Sequence, residues 1–398
     1  MQMKGDSDMS NRIFDILTSC LGNVLFDREL VIDPPPAEQE LVEVYRLSKK
    51  HDMAHIVGIS LAKAGMLEDA PEIAEKFEKE QYLAVFRYEN FKYETDRLCN
   101  IFDEQNIPYI LLKGAVIRDF YPEAWMRTSC DLDVLVKEED LDIAIKALTE
   151  QLGYKVDGNK NFHDVDLFSE SGVHLELHFN IKEDIAALDK VLSRVWEYAE
   201  KADENSQKFV LTNEFLLYHL IAHAAYHFVG GGCGVRPLTD IYLLKNKLKY
   251  DESVLNQLCE ESEIGKFYSS VCKLCECWFE GAEHIVLTDE MQKFILQGGA
   301  YGTKKAHIAA RQEARGGKSG YAMSRIFAPY DVLKQRYPKL RGRAQMPIYQ
   351  VRRWIDVARD GGVRRSAREL RINNSLDIES IKTVQTLMKQ LELDKHIK

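Results

Sequence analysis

The sequence lacks the paired cysteines of a disulfide scaffold. Eight cysteines in 398 residues are too few to staple a fold of this size. Cys272, Cys275 and Cys277 cluster in VCKLCECWF. No second pair at zinc-finger spacing accompanies them and their surroundings are helical, so they read as buried or half-buried thiols. A membrane-length apolar run is also missing. Phe215–Val235 carries no Asp, Glu, Lys or Arg, but three histidines interrupt it and GGGCG ends it from Gly230. That leaves about 15 helical residues, too short for a bilayer core. The first ten residues, MQMKGDSDMS, hold no apolar leader core. Internal repeats and low-complexity tracts are absent. These absences point to a soluble, cytoplasmic, globular chain.

The 45% hydrophobic and 29% charged composition is ordinary for such a chain and allows two or three domains. The net charge of −10 is unevenly distributed. Tyr301–Arg371 holds 18 Lys and Arg against 5 Asp and Glu, a local excess of 13. The remainder therefore sums to −23 (−10 less 13). Tyr330, Tyr337, Tyr349 and Trp354 are interleaved with these basic residues. Such a segment suits acidic or phosphate-rich partners. Docking on the chain's own acidic surface is the favoured reading and nucleic acid the less favoured one.

Periodicity divides the chain into four regions. Residues 1–100 read as helices, with DPPPAEQE as a stop followed by a start. Residues 101–205 read as strand (IPYILLKG), short helix (AVIRDFYPE), strand (DLDVLV), amphipathic helix and hairpin (HDVDLFSESGVHLELHFNI). In the amphipathic helix Ile143, Leu148 and Leu152 are expected inward. Residues 206–295 are helical again, and 296–398 form the basic helical segment, with a loop at RGGKSG and a helix through IYQVRRWIDVARD. The fold class is thus α/β (α+β): a core with a mixed sheet, flanked by N-terminal and C-terminal helical regions.

The chemistry concentrates in RTSCDLDVLV. Asp131 and Asp133, two apart on a strand, share one face, while Leu132 and Val134 share the other. Two carboxylates that close repel, and a divalent cation relieves the repulsion. In VHLELHFNI, Val173, Leu175, Leu177 and Phe179 point inward, leaving His174, Glu176 and His178 on the opposite face. Glu176 becomes a third acid if this strand lies beside the Asp-x-Asp strand. It would then ligate the metal or accept the proton of an attacking hydroxyl. Gly114 follows a strand and opens a helix, a natural place for an anion. Lys113 adds positive charge there, and Arg127 could grip a phosphate in bidentate fashion. His219, His223 and His227 recur every four residues on one helical face. They read as core or cleft-lining residues, with His223 and His178 on the substrate side. Arg236 and Asp240, also four apart, are expected to form an ion pair.

Together LLKG…YP…R…DLDVLV…ELH resembles the uncharacterised nucleotidyltransferase family of the DNA polymerase beta-like nucleotidyltransferase superfamily. Gly114 matches the glycine of the turn, Asp131 and Asp133 the acidic pair, and Glu176 the third acid. Residues 107–180 carry the likeness, with a weaker echo beyond. Lys113-Gly114-Ala115 stands where the superfamily usually has Gly-Ser, so the turn itself brings no serine hydroxyl. The resemblance implies an enzyme that moves a nucleoside monophosphate from a nucleoside triphosphate such as ATP to a hydroxyl acceptor, a small molecule or a protein, releasing pyrophosphate. It implies two Mg²⁺ or Mn²⁺ ions on Asp131, Asp133 and Glu176, with Lys113, Gly114 and Arg127 on the nucleotide. Two rival readings stand beside it: nucleotide addition to tRNA or another RNA, as in toxin-like members, and a non-catalytic nucleotide-binding or scaffold protein.

Overall fold

The computed structural model describes residues 2–158, 160–298, 303–314, 316–337, 339–359, 362–376 and 378–397. The chain forms two compact units. One comprises residues 1–226 and 234–288, the other residues 227–233 and 289–398. Most of the first three expected regions thus pack into one unit.

The first unit opens with helices α1 (Gln2–Phe26), α2 (Glu38–Lys50), α3 (Ala54–Lys63) and α4 (Pro71–Glu104). Pro71 begins α4 at a position where its missing N–H costs nothing. The α/β part follows: β1 (Tyr109–Leu111), α5 (Gly114–Ile117), β2 (Leu132–Val136), α6 (Leu141–Leu152), β3 (Lys155–Asp157), β4 (Asp164–Phe168), β5 (His174–His178), α7 (Ala186–Leu192), β6 (Ala199–Lys201) and β7 (Lys208–Leu211). Helices α8 (Asn213–Val229), α9 (Val235–Lys247), α10 (Glu252–Glu261) and α11 (Gly265–Glu280) come next. Cys272 and Cys275 are buried on α11. No helix among the described residues is long and apolar enough to cross a membrane.

The strands form one mixed sheet in the order β3-β4-β5-β2-β1-β7-β6. Strand β2 runs antiparallel to β1 and parallel to β5. Period-2 alternation decides which face is buried. Leu132, Val134 and Val136 of β2, Leu175 and Leu177 of β5, and Val165 and Leu167 of β4 join one core with Phe91, Leu98, Ile101 and Phe102 of α4. Helix α6 closes this core through Leu141, Ala144, Ala147 and Leu148. Leu148 is buried and Leu152 packs against the core, as the sequence leads one to expect. Contrary to that expectation, Ile143 is exposed, because the stripe that meets α4 is set by Leu141 and its i+3 and i+7 neighbours.

The second unit is helical among its described residues. Tyr321, Ile308, Ala309, Leu376 and Ile381 make one small core. Ala328, Leu333, Tyr337 and Leu340 make another, with Tyr330 and Tyr349 packed on it. The interleaved aromatic residues thus serve packing here. Arg352 lies over the ring of Tyr337, and the Trp354 indole N–H donates to Ile326 O at 2.8 Å. The helix expected through IYQVRRWIDVARD is present at Met346–Arg359. The expected loop at RGGKSG is mostly the first turn of Gly317–Ile326. Of the segment 296–398, residues 299–302, 315, 338, 360, 361, 377 and 398 lie outside the described residues.

Candidate active site

The face of the sheet opposite the core carries the polar groups. In the parallel pairing of β2 and β5, Asp133 lies directly beside Glu176. The antiparallel pairing of β4 and β5 then places Asp166 beside Glu176 and Asp164 beside His178. Asp131 immediately precedes β2. Ligand atoms of Asp131, His174 and Glu176 lie within 4.8 Å of one another, as do those of Asp133, Glu176 and His178. The strand adjacency that the sequence left open is therefore present, and Glu176 joins two groups, one with Asp131 and one with Asp133.

Two nitrogen donors already face Asp133. Lys113 Nζ donates to its Oδ1 at 2.8 Å, and His178 Nε2 donates to the same oxygen at 3.0 Å. Burial alone would raise the Asp133 carboxyl, but the Lys113 ammonium and the His178 bond hold it well below the usual range. Conversely, burial would lower the His178 imidazole, but Asp133 and Glu176 raise it to about 9. Asp131 makes no such hydrogen bond among the described residues, and Lys113 and His174 only partly offset its burial. Burial, reinforced by the like charges of Asp133 and Glu176, pushes its carboxyl up to about 6. One side of the cluster is neutralised by Lys113, and the other keeps an excess of negative charge.

The turn before the site explains its glycine. Ala115 N–H donates to Leu112 O at 3.1 Å, closing a four-residue turn with Lys113 at φ 43 and ψ −120. This region ordinarily favours glycine, so Lys113 sits in a strained position. At Gly114, a Cβ would lie 1.9 Å from Ser129 Oγ. Ser129 is buried and its hydroxyl also stands 3.5 Å from Arg127 Nη1. A serine hydroxyl absent from the turn is thus brought to it from fifteen residues downstream. The helix that Gly114 opens is a single turn, so its dipole is small.

Arg127 is engaged by a protein carboxylate. Its guanidinium meets Asp240 of α9 at 2.8–2.9 Å, and the Tyr121 hydroxyl donates to Asp240 at 2.6 Å. Arg236 does not form the expected pair with Asp240. It binds Asp52, and donates to Thr128 O at 3.2 Å. The two side chains are one helical turn apart, yet Asp240 pairs with Arg127 of the loop before β2 and Arg236 with Asp52 of the α2–α3 turn. The loop carrying Ser129 and Asp131 is consequently clamped between α9 and the α2–α3 turn.

On α8, His219 is buried, and burial together with Lys113 and His223 pushes its imidazole down to about 3. His223 Nδ1 meets Glu183 Oε1 at 2.7 Å, and burial holds this imidazole well below its usual range. His227 belongs to the second unit.

Asp133 is buried and Asp131 and Glu176 are half-buried, with a lysine turn before them and an apolar sheet face behind. The sequence model of the family described as uncharacterised nucleotidyltransferase matches residues 37–280. The chain belongs to this family. It is therefore an enzyme that transfers nucleotidyl groups. The match covers the polar sheet face, the clamped loop and α9, and so includes the whole site described above. No curated protein matches the chain. No solved structure matches it either.

Several residues of this candidate site carry little or no signal in the sequence. His174 shares the period-2 face of Glu176, and that spacing could have included it. Ser129, His163, Asp164 and Glu183 offered no comparable signal. Their places follow from pairing between segments far apart in sequence.

Proposed function

We propose that the chain moves a nucleoside monophosphate from a nucleoside triphosphate to a hydroxyl acceptor and releases pyrophosphate. The observation that supports this most is the side-by-side pairing of Asp133 and Glu176, with Asp131 against them and its carboxyl pushed up to about 6 by burial and like charge. Hard oxygen donors crowded in this way fit Mg²⁺ or Mn²⁺. Asp131, Asp133 and Glu176 would hold up to two such ions. Once bound, the cations withdraw charge from the triphosphate and from the attacking and departing oxygens.

The side chains have separate tasks in this reading. The acceptor oxygen forms a bond to the α-phosphorus as the bond from that phosphorus to the bridging oxygen breaks, and pyrophosphate carries the electron pair away. Glu176, at the more accessible edge of the cluster, takes the acceptor proton. Lys113 balances Asp133 and faces the triphosphate. Gly114 lets the chain approach closely, with Ser129 supplying the hydroxyl. Arg127 serves through Asp240, fixing the loop that carries Ser129 and Asp131. His178 orients Asp133, and His223, oriented by Glu183, lines the acceptor side. A small molecule or a protein is the favoured acceptor class.

The test is incubation with labelled nucleoside triphosphates, Mg²⁺ or Mn²⁺, and separate pools of metabolites, proteins and RNA. Pyrophosphate release that disappears in Asp133→Ala is the expected result. Label found on RNA alone would move the acceptor to nucleic acid. Nucleotide binding without turnover in every pool would defeat the proposal.

A further inference from the structure

Beside the carboxylate cluster, the same sheet face carries two imidazoles and a carboxylate that nucleotidyl transfer does not use together. Asp164 of β4 lies directly opposite His178 of β5, where cross-strand side chains share a face. His163, just before β4, stacks on His178 with ring centroids 5.5 Å apart and an interplanar angle of 24°. His163 Nε2 is 3.0 Å from Asp164 Oδ2. One ligand atom from each of His163, Asp164 and His178 lies within 4.8 Å of the others.

A second observation points to a ligand. His178 is only 4% exposed. Its Nε2 is committed to Asp133, whereas its Nδ1 is buried with no hydrogen-bond partner among the described residues. A buried polar atom left unpaired is costly. A histidine that gives one N–H to a carboxylate and keeps its other nitrogen for a cation is the arrangement found around protein-bound metals.

We propose that His163, Asp164 and His178 bind a divalent transition-metal ion of the zinc class. Asp164 contributes Oδ2, His163 the adjacent Nε2, and His178 the Nδ1 that Asp133 leaves. Ligand atoms on a tetrahedral zinc stand roughly 3.4 Å apart, given bonds of about 2.1 Å. The His163–Asp164 separation of 3.0 Å is close to that spacing. Two nitrogens and one oxygen favour zinc over magnesium, which prefers oxygen alone. Three protein ligands leave a fourth position for water or substrate. Binding displaces any proton on His178 Nδ1 to solvent. The ion would fix the His178 ring and, through Nε2, the orientation of Asp133, which makes His163 and Asp164 positioning residues. The inference does not depend on the proposed reaction, since it concerns binding alone.

The test uses chelator-stripped full-length protein titrated with Co²⁺ in excess Mg²⁺. Visible absorption reports nitrogen-ligated cobalt, and elemental analysis reports metal per chain. Wild type and Asp131→Asn should each take up one Co²⁺ that Zn²⁺ displaces, and His163→Ala should take up none. The His163 side chain is 32% exposed, so its removal should leave the fold intact, as a melting curve will check. X-ray absorption on zinc-loaded wild type, which needs no variant, should show two imidazoles. No uptake by wild type, unchanged uptake by His163→Ala, loss of uptake in Asp131→Asn, or a shell of oxygens alone would each overturn the proposal.

Discussion

At Gly114 a single added methyl group would strike Ser129 Oγ, and the Ser129 side chain would have to turn aside. Overpacking of this kind costs about 1–3 kcal/mol. Gly114→Ala should therefore lower both stability and turnover, and adding Ser129→Gly should restore stability but not turnover. Thermal melting and pyrophosphate release measure the two separately. Asp131 offers the reverse combination. Loss of partners beyond the direct ligands of a metal costs roughly 10–100-fold, so Asp131→Asn should lower turnover by at least about 100-fold. In metal-free protein the same change should stabilise. The folded carboxyl binds its proton more tightly than the unfolded one, so stability is lost as pH rises from 3.8 through about 6. Asp131→Asn should melt above wild type at pH 8, with the difference shrinking towards pH 4. Equal melting temperatures at pH 8 would contradict the crowding argument.

Among the elements, the loop between α5 and β2 depends on partners contributed from afar. The Arg127–Asp240 contact spans 113 residues and both side chains are buried. Removing one member of a buried ion pair typically costs about 3–5 kcal/mol. Arg127→Met alone and Asp240→Leu alone should each show that loss in urea unfolding, and the double variant should recover much of it. Strands β2 and β5 were legible in the sequence because Leu132, Val134, Leu175 and Leu177 alternate with polar residues. Helix α8 was legible from its unbroken apolar run. Strands β3, β6 and β7 were not. Each has only three or four residues, and β7 exists as a strand through its pairing with β1, which leaves no local period to read. A lone arginine near two aspartates suggests a phosphate ligand, and nothing local to Arg127 hints at its contact with Asp240, 113 residues away.

Across the first unit, buried neutral histidines add a sensitivity to acid. Burial pushes His51 down to about 4, aided by Lys50, and His219 to about 3. An unfolded histidine takes its proton near pH 6.5, before the folded one does, so each contributes a loss of stability as pH falls below 6.5. The slope is at most about 1.4 kcal/mol per pH unit per histidine. His51 Nδ1 accepts from Val235 N–H at 3.3 Å, and a glutamine oxygen could do the same. His51→Gln should thus lose less stability than wild type between pH 6.5 and 4, as urea midpoints at the two pH values would show. The identity of the carboxylate cluster was readable at this scale from residue types and spacing. Its electrostatic asymmetry was not, because it arises from Lys113 and His178 converging on one oxygen of Asp133.

The parallel pairing of β2 with β5 also has a kinetic consequence. Asp133 and His178 are 45 residues apart in sequence, and a parallel pair cannot be joined by a tight hairpin. The chain between them, which carries α6, β3 and β4, has to close as one long loop when the two strands pair. Such non-local closure is slow to form. During refolding, cation affinity should consequently appear with the last phase of sheet assembly and be absent from any early species that has gained helix alone. Stopped-flow circular dichroism alongside a Mn²⁺-binding signal would see two separate time courses.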